Sequence, residues 1–443
     1  MKAFLLTTLL ATAASAVSIP DMGVGRATYD GYKVFRVKTG KQLASVQDKL
    51  AQFSAEPWNN KIDKYMDVAI APHHLPHFES LGLDCYVMHE DLGHSIRKES
   101  EVSSIYKRQV GDDAWYDTYH PYEDHVRYWD DLQASFPNQS AKVSSGTSYE
   151  GRDIFGLHIW GADGPGKPAI LYHSTVHARE WITAMTTEYI TRELINGYKG
   201  NDNFSRTVLD SYDVYVLPFV NPDGFVFSQT DNRLWRKNRM PPPANATNQT
   251  CFGRDNNRNW EFAWDANNRG ASTNPCSQTY KGEAANDTPE NQGLDAFVRK
   301  LRDEQGIKLY IDWHSYGQYI LYPYGYNETL YAPELGKWHK TAADTAEAIR
   351  AASDIDGQYT FGPSGATLYT TTGSSVDHIY EIGEAEFSYT IELRDTGEFG
   401  FVLPPEQIRP NVVEQWAGQQ VLLSYLDEVF FDGAGPAAAD VRM

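Results

Sequence analysis

The chain of 443 residues is 41% hydrophobic and 22% charged, close to globular averages and too apolar to be disordered throughout. Lys and Arg number 39 against 59 Asp and Glu, a formal net charge of −20 that repels nucleic-acid phosphates and anionic lipid surfaces, so neither is an expected partner. At roughly 150 residues per domain the length allows about three domains, although single α/β enzyme domains run longer.

Residues 1–17 hold the long apolar run, with one Lys at position 2 and Ala14-Ser15-Ala16 as a small-x-small cleavage pattern. This reads as a signal peptide over 1–16, and a buried N-terminal helix is the alternative. No later run of ~20 apolar residues follows, so a secreted, extracellular product without a membrane span is expected. Asn-x-Ser/Thr triplets at Asn138, Asn203, Asn245, Asn248, Asn286 and Asn327 fit an exported glycoprotein.

Downstream, residues 32–37 alternate like a strand, 41–53 have helical spacing, 66–70 read as a strand, 74–81 as a helix and 84–88 as a last strand. These periodicities predict a small α+β module of about 80 residues. Residues 99–108 are polar and Ser-rich, read as a loop, and contain the dibasic pair Lys107-Arg108. Beyond them, strand-like runs at 169–173, 212–217, 308–313 and 387–393 interleave with helical patterns at 180–198, 290–305, 334–352 and 406–429. That alternation predicts one large α/β domain, a mixed, mostly parallel β-sheet flanked by helices on both faces. The Pro/Asn-rich 240–248 and Gly/Asn/Ser-rich 265–283 segments read as an irregular excursion. Cys85, Cys251 and Cys276 make an odd count. In an oxidising compartment the later two can close a loop of about 25 residues, on the order of 3 kcal/mol in the chain-entropy model, leaving Cys85 over. A leftover cysteine makes sense in a piece that is removed, and Lys107-Arg108 offers a place to cut.

Residues 169–181 run from an apolar strand into a loop carrying His177 and Glu180, whose imidazole and carboxylate both suit Zn²⁺. His-x-x-Glu spacing alone is weak, because His120/Glu123 and His378/Glu381 repeat it. The first pair stands out by its place at the carboxyl end of a sheet strand, where α/β proteins bind ligands. It also has a plausible third ligand in His314, at the end of the 308–313 strand. Taken alone, His314 is equally a hydrogen-bonded structural histidine. Glu392 interrupts the apolar 387–393 run; a charge there needs a partner, a raised pKa or a water at a metal to act on, and a salt bridge to Arg394 is the plain alternative. Arg236 and Arg258 lie in loop-like sequence, and Asn257, Asn259 and Trp260 around Arg258 suit bidentate recognition of a carboxylate.

Six ordered motifs, His177-Ala-Arg-Glu180-Trp-Ile, Asn221-Pro-Asp-Gly-Phe, Arg233-Leu-Trp-Arg-Lys237, Asp255-Asn-Asn-Arg-Asn-Trp260, Asp312-Trp-His-Ser-Tyr316 and Glu392-Leu-Arg-Asp-Thr-Gly397, closely resemble the zinc carboxypeptidases of the pancreatic carboxypeptidase A type. The resemblance spans residues 117–430, and the N-terminal module resembles that family's activation segment. It implies one Zn²⁺ per chain held by His177, Glu180 and His314, with Glu392 as general base and Arg236 stabilising the oxyanion. It further implies that Asn257 and Arg258 grip the substrate's free carboxylate, that Tyr369 closes over it, and that Arg179 and Tyr316 contribute to substrate binding. Asp255 would orient a ligand histidine, and Cys251–Cys276 falls where the family has a disulfide. Val376, seven residues past Tyr369, stands where the family separates basic from apolar pockets and points to aromatic or aliphatic C-terminal residues. Ser364, where a bulkier apolar residue is expected, leaves more room in that pocket.

The expected division is therefore a signal peptide at 1–16, an activation propeptide at 17–108 and a zinc carboxypeptidase catalytic domain at 109–443. The expected partners are peptide and protein C-termini, the chain's own propeptide as an intramolecular inhibitor and a protease cutting after Arg108, in a monomer. Two alternatives stay open on the same scaffold: a catalytically silent peptide-binding protein, and a zinc amidase acting on N-acyl amino acids. No Gly-x-Ser-x-Gly or His-Glu-x-x-His occurs, so serine-hydrolase and zinc-endopeptidase readings lack support.

Overall fold

The computed structural model describes residues 26–53, 56–59, 62–100, 113–355 and 357–427, so the expected signal peptide and the Lys107-Arg108 pair lie outside the described residues. Near the N-terminus, β1 (Lys33–Lys38), β2 (Tyr65–Ile70) and β3 (Cys85–His89) form an antiparallel sheet in the order β2-β1-β3. The helices Leu43–Ala51 and Leu75–Ser80 close its core, where Val46, Leu50 and Phe78 meet Phe35, Val37, Met66, Val68 and Ile70. All five expected elements are present, and Cys85 is a free, half-buried thiol.

The loop expected from residue 99 onward is instead preceded by a helix, Leu92–Ser100, that includes Glu99. Leu92, Ile96 and Glu99 recur at helical spacing on one buried face. Glu99 is fully buried and receives Arg233 Nε at 2.6 Å and Nη2 at 2.7 Å. A buried face that includes a carboxylate matched by a distant guanidinium reads as solvated loop in the sequence.

The larger sheet contains β4 (Ser140–Thr147), β5 (Asp153–Ile159), β6 (Ala169–Ser174), β7 (Asp213–Leu217), β8 (Ile307–Ser315), β9 (Tyr319–Tyr322), β10 (Thr360–Pro363) and β11 (Phe387–Leu393). Their order is β10-β9-β11-β8-β6-β7-β5-β4. The central β11, β8, β6 and β7 run parallel, while β4, β5 and β9 are antiparallel to their inner neighbours. Every residue of β6, β7 and β11 is buried, because helices cover both faces of the sheet. Ile182–Lys199, Leu335–Ala352 and Ile408–Ser424 pack on one face and Pro289–Glu304 and Ser375–Glu381 on the other. The mixed sheet flanked by helices thus stands as expected, with the last helix ending at Ser424. The outer strands β4, β5 and β10 carry no continuous apolar run and β9, Tyr-Ile-Leu-Tyr, is only four residues long, so none was legible.

Strand alternation sorts the polar residues. Leu309, Ile311 and Trp313 of β8 and Phe387, Tyr389, Ile391 and Leu393 of β11 enter the first helix layer. Asp312, His314, Ser388, Thr390 and Glu392 therefore face the other side, and the parallel register sets Glu392 beside His314. Among the described residues, 231–288 contain no helix longer than the three-residue turn Asn256–Arg258 and no named strand. A Cys251–Cys276 disulfide ties this excursion together. Cys251→Ser is expected to lower the free energy of unfolding by about 2–4 kcal/mol, read from the denaturation midpoint of purified protein; an unchanged midpoint would mean that the loop's hydrogen bonds suffice without the crosslink.

Candidate active site

His177 and Glu180 lie on the loop between β6 and the helix Ile182–Lys199, and His314 lies on the neighbouring β8. Asn221 fixes the first loop. Its side chain caps the helix Pro222–Thr230 by accepting from Gly224 N–H at 3.1 Å, and it donates to the carbonyls of Val176 at 3.0 Å and Lys237 at 3.1 Å. A backbone bond from Ala178 N–H to Arg236 O at 3.0 Å joins the loop of His177 to the loop of Arg236. The Asn-Pro-Asp-Gly motif is thus the clamp that sets one site loop against another.

The three donors are buried and converge. His177 Nδ1 is 2.8 Å from Glu180 Oε1, and His314 Nδ1 is 3.1 Å from Glu180 Oε2 and 3.2 Å from His177 Nδ1. Ligand atoms around a tetrahedral zinc with bonds of about 2.1 Å would stand roughly 3.4 Å apart, so the trio fits that ion in both geometry and donor type. Two imidazole nitrogens in contact need a shared proton or a cation between them. His177 presents its other nitrogen, Nε2, 3.2 Å from Asp255 Oδ1. Asp255 is fully buried and holds Arg236 through Nη2 at 2.8 Å and Nε at 3.2 Å. Asp255 thus contacts the ring nitrogen of His177 turned away from Glu180, and the Arg236 guanidinium neutralises that carboxylate.

A pocket of 30 Å³ is lined by His177, Arg236, Asn257, Arg258, His314, Ser364, Tyr369, Val376, Thr390 and Glu392, among others. Most of the expected site therefore shares one cavity. Arg258 is anchored by Nε to Gly270 O at 3.0 Å and Nη1 to Asn257 O at 2.7 Å, and its Nη2 donates to the Tyr369 hydroxyl. Asn257 Oδ1 accepts from Ser375 N–H at 2.8 Å, fixing the pocket helix that carries Val376. Gly373, at φ +61°, permits this closeness: a Cβ there would stand 2.5 Å from Arg258 O.

Glu392 is 7% exposed. Burial pushes its carboxyl up to about 8, with His314 and Arg236 pulling down and Glu180 and Asp312 adding to the rise. The alternative salt bridge is excluded, because Arg394 pairs with Glu414, Nε to Oε1 at 2.9 Å, and with Asp354. The two other His-x-x-Glu pairs also lie elsewhere. His120 stacks on Trp115 with centroids 3.6 Å apart, and His378 is 2.7 Å from Asp295.

Arg179 and Tyr316 do not line the small pocket; both turn toward the N-terminal module. Arg179 lies 3.9 Å over the ring of Phe401, and burial together with the nearby Arg236 charge pushes its guanidinium down to about 10. Tyr316 donates its hydroxyl to Asp67 Oδ2 at 2.6 Å. Asp67 is held bidentately by Arg36, both bonds 2.6 Å, and Arg36 also donates to Thr396 O. Glu56 of the module lies in the field of Arg179, Lys237 and Arg236 and hydrogen bonds Gln278. Between module and domain lies a chamber of 850 Å³ whose walls include Arg36, Lys64, Tyr65, Tyr319, Leu368 and Glu392. Asp67, Glu99 and Glu56 escaped sequence reasoning because their partners are hundreds of residues away or on unrelated loops. Asp312 carried the same signal as Glu392, a charge inside an apolar strand.

A family model described as zinc carboxypeptidase matches residues 125–418. The metallocarboxypeptidase A of Trichophyton rubrum is 41% identical over 401 residues, 89% of this chain and 93% of that protein. A metallocarboxypeptidase A-like protein of Trichophyton verrucosum is 38% identical over 438 residues, 96% of this chain and 100% of that one. The crystal structure of a carboxypeptidase A from Helicoverpa armigera superposes with a TM-score of 0.77 at 27% identity, covering 90% of this chain and 98% of that one.

Arg236 is the guanidinium that neutralises Asp255, whose other partner is the His177 imidazole. Arg236→Ala is therefore expected to cost about 3–5 kcal/mol of stability by stranding Asp255, measured by chemical denaturation. A denaturation curve matching that of the unsubstituted protein would mean that Asp255 does not depend on this pair.

Proposed function

The chain belongs to the zinc carboxypeptidase family and is a peptide hydrolase acting on peptide C-termini, and from this we propose that it is a secreted zymogen whose mature form removes aromatic and aliphatic C-terminal residues. The observation that carries the reading is the pocket whose lining Arg258, Asn257 and Tyr369 share with His177, His314, Arg236 and Glu392. His177, Glu180 and His314 hold one zinc ion, which when bound polarises the scissile carbonyl and acidifies water. Arg258 binds the substrate's free carboxylate with Asn257 beside it, and Tyr369, already hydrogen bonded to Arg258, covers it. A buried guanidinium prepared for an anion gains little from a neutral internal peptide bond, so chain ends are selected.

Arg236 directs its donors at the carbonyl oxygen as negative charge develops there, and Asp255 keeps the guanidinium from moving. Glu392 takes the proton of the attacking water on its carboxylate and returns it to the leaving amine. A carboxyl whose burial lifts it toward neutrality is suited to both halves of that transfer. Val376, Ser364, Leu368 and Thr371 surround the rest of the pocket without an acid apart from Glu392, which favours an uncharged side chain over a basic one.

Residues 17–108 act as the inhibitory propeptide, 109–443 as the catalytic domain, and a cut after Arg108 releases the mature enzyme. The reading is supported by the module's position: it engages Tyr316 through Asp67 and sets Glu56 before Arg179. Residues 1–16 serve as the signal peptide, consistent with six glycosylation triplets and a disulfide.

Release of Phe and Lys from blocked dipeptides, with and without a chelator, tests the enzyme reading. Faster release of Phe that the chelator abolishes is expected; preferential release of Lys, or activity indifferent to chelation, contradicts it. N-terminal sequencing of active secreted protein is expected to begin downstream of Arg108, and fully active material starting at Val17 would remove the zymogen reading.

A further inference from the structure

His314 has a carboxylate of its own. Asp312 precedes it by two positions on β8, so both side chains leave the same face of the strand. Asp312 Oδ2 lies 3.0 Å from His314 Nε2, the nitrogen turned away from Glu180 and His177. The same oxygen accepts a hydrogen bond of 2.5 Å from Ser375 Oγ, a length typical of a charge-assisted bond. Asp312 is 1% exposed, and its second oxygen, Oδ1, has no hydrogen-bond partner. Among the described residues, Asp312 forms its ion pair with His314, and no Lys or Arg answers it.

An ionised carboxylate buried in this way is costly unless a cation compensates it. Asp255 has such a partner in Arg236; among the described residues Asp312 has imidazoles instead, His173 farther off and His314 in contact. The His314 imidazole becomes an adequate partner when its far nitrogen ligates a metal, because the metal's charge reaches Asp312 through the ring. Asp312 thereby adds a buried anion without a guanidinium salt bridge behind His314, on the side away from Glu180. Asn257 Nδ2 also approaches His314 Nε2, at 3.3 Å. An amide that offers hydrogens cannot satisfy an N–H, whereas a carboxylate can, so the nearer Asp312 decides where the ring proton resides.

We propose that Asp312 is a positioning residue for the metal: it holds the proton of His314 on Nε2 and keeps Nδ1 free to ligate. This rests on the assignment of His314 as a ligand. Ser375 extends the chain. Its hydroxyl orients Asp312 while its backbone N–H holds Asn257 Oδ1, so one residue next to Val376 ties the carboxylate-binding and specificity walls to the metal ligand. The whole line Asn257–Ser375–Asp312–His314 is buried.

The test compares the full chain with Asp312→Asn, Ser375→Ala and His314→Ala by titrating bound zinc against a competing chelator. Visible spectra of the cobalt-substituted proteins and the melting temperatures of their metal-free forms complete the comparison. Asp312→Asn is expected to weaken zinc binding about 10–100-fold and to alter the cobalt bands, with the metal-free melting temperature nearly unchanged. Ser375→Ala, which keeps the carboxylate, is expected to weaken binding several-fold; it serves as the readout should Asp312→Asn not fold. Wild-type affinity and cobalt spectrum in these two variants, with zinc lost from His314→Ala, would overturn the proposal and leave the ligand assignment standing. Zinc retained by His314→Ala would overturn both.

Discussion

Everything in the cleft depends on buried anions being compensated. Glu180 lies between two imidazoles, Asp255 between His177 and Arg236, and Glu392 next to His314 across the parallel register. None of these carboxylates would be tolerated alone at such depth. The central strands bring them together because four parallel strands end on the same edge, where loops can place charged groups without disturbing the apolar helix layers. Charge balance, more than packing, dictates the side-chain arrangement at this edge.

The same principle governs the contact between the N-terminal module and the larger domain. Glu99 of the module pairs with Arg233 across the contact, and the module's own Arg36–Asp67 pair meets the domain at Tyr316 and Thr396 O; around them Val34, Trp58, Leu92 and Ile96 pack against Phe401 and Val402. His89 adds a contact of 2.8 Å to Phe399 O. Apolar burial supplies the attraction and the Glu99–Arg233 pair fixes the register, since a shifted module would strand Glu99 on one side and Arg233 on the other. This interface uses Tyr316 directly, so the position read from sequence as a substrate contact is occupied by a group of the chain itself.

Much of this was legible in the sequence because it was periodic. The continuous apolar runs of β6, β7, β8 and β11 and the 3.6-residue periodicity of the long helices gave the sheet and its layers. The polar interruptions His314 and Glu392 gave two members of the site. The neighbours of Arg258 suggested carboxylate recognition, but the roles expected of Arg236, Asn257 and Tyr369 came only from the resemblance, since an arginine in an irregular loop has little local pattern that separates it from a solvated one. The helix Leu92–Ser100 and the short edge strands were hidden for another reason: their stability comes from partners far away in sequence, as Glu99 finds in Arg233. Asp312 was visible yet unread, although the argument that singled out Glu392 applies to it equally.

X-ray absorption at the zinc edge of the purified, metal-replete protein tests the convergence of His177, Glu180 and His314 most directly. One zinc per chain is expected, with nitrogen and oxygen neighbours at about 2.0–2.2 Å, an imidazole scattering pattern and no sulfur shell. A first shell of sulfur or of oxygen alone, or an active protein with no zinc edge, would contradict a His₂Glu centre.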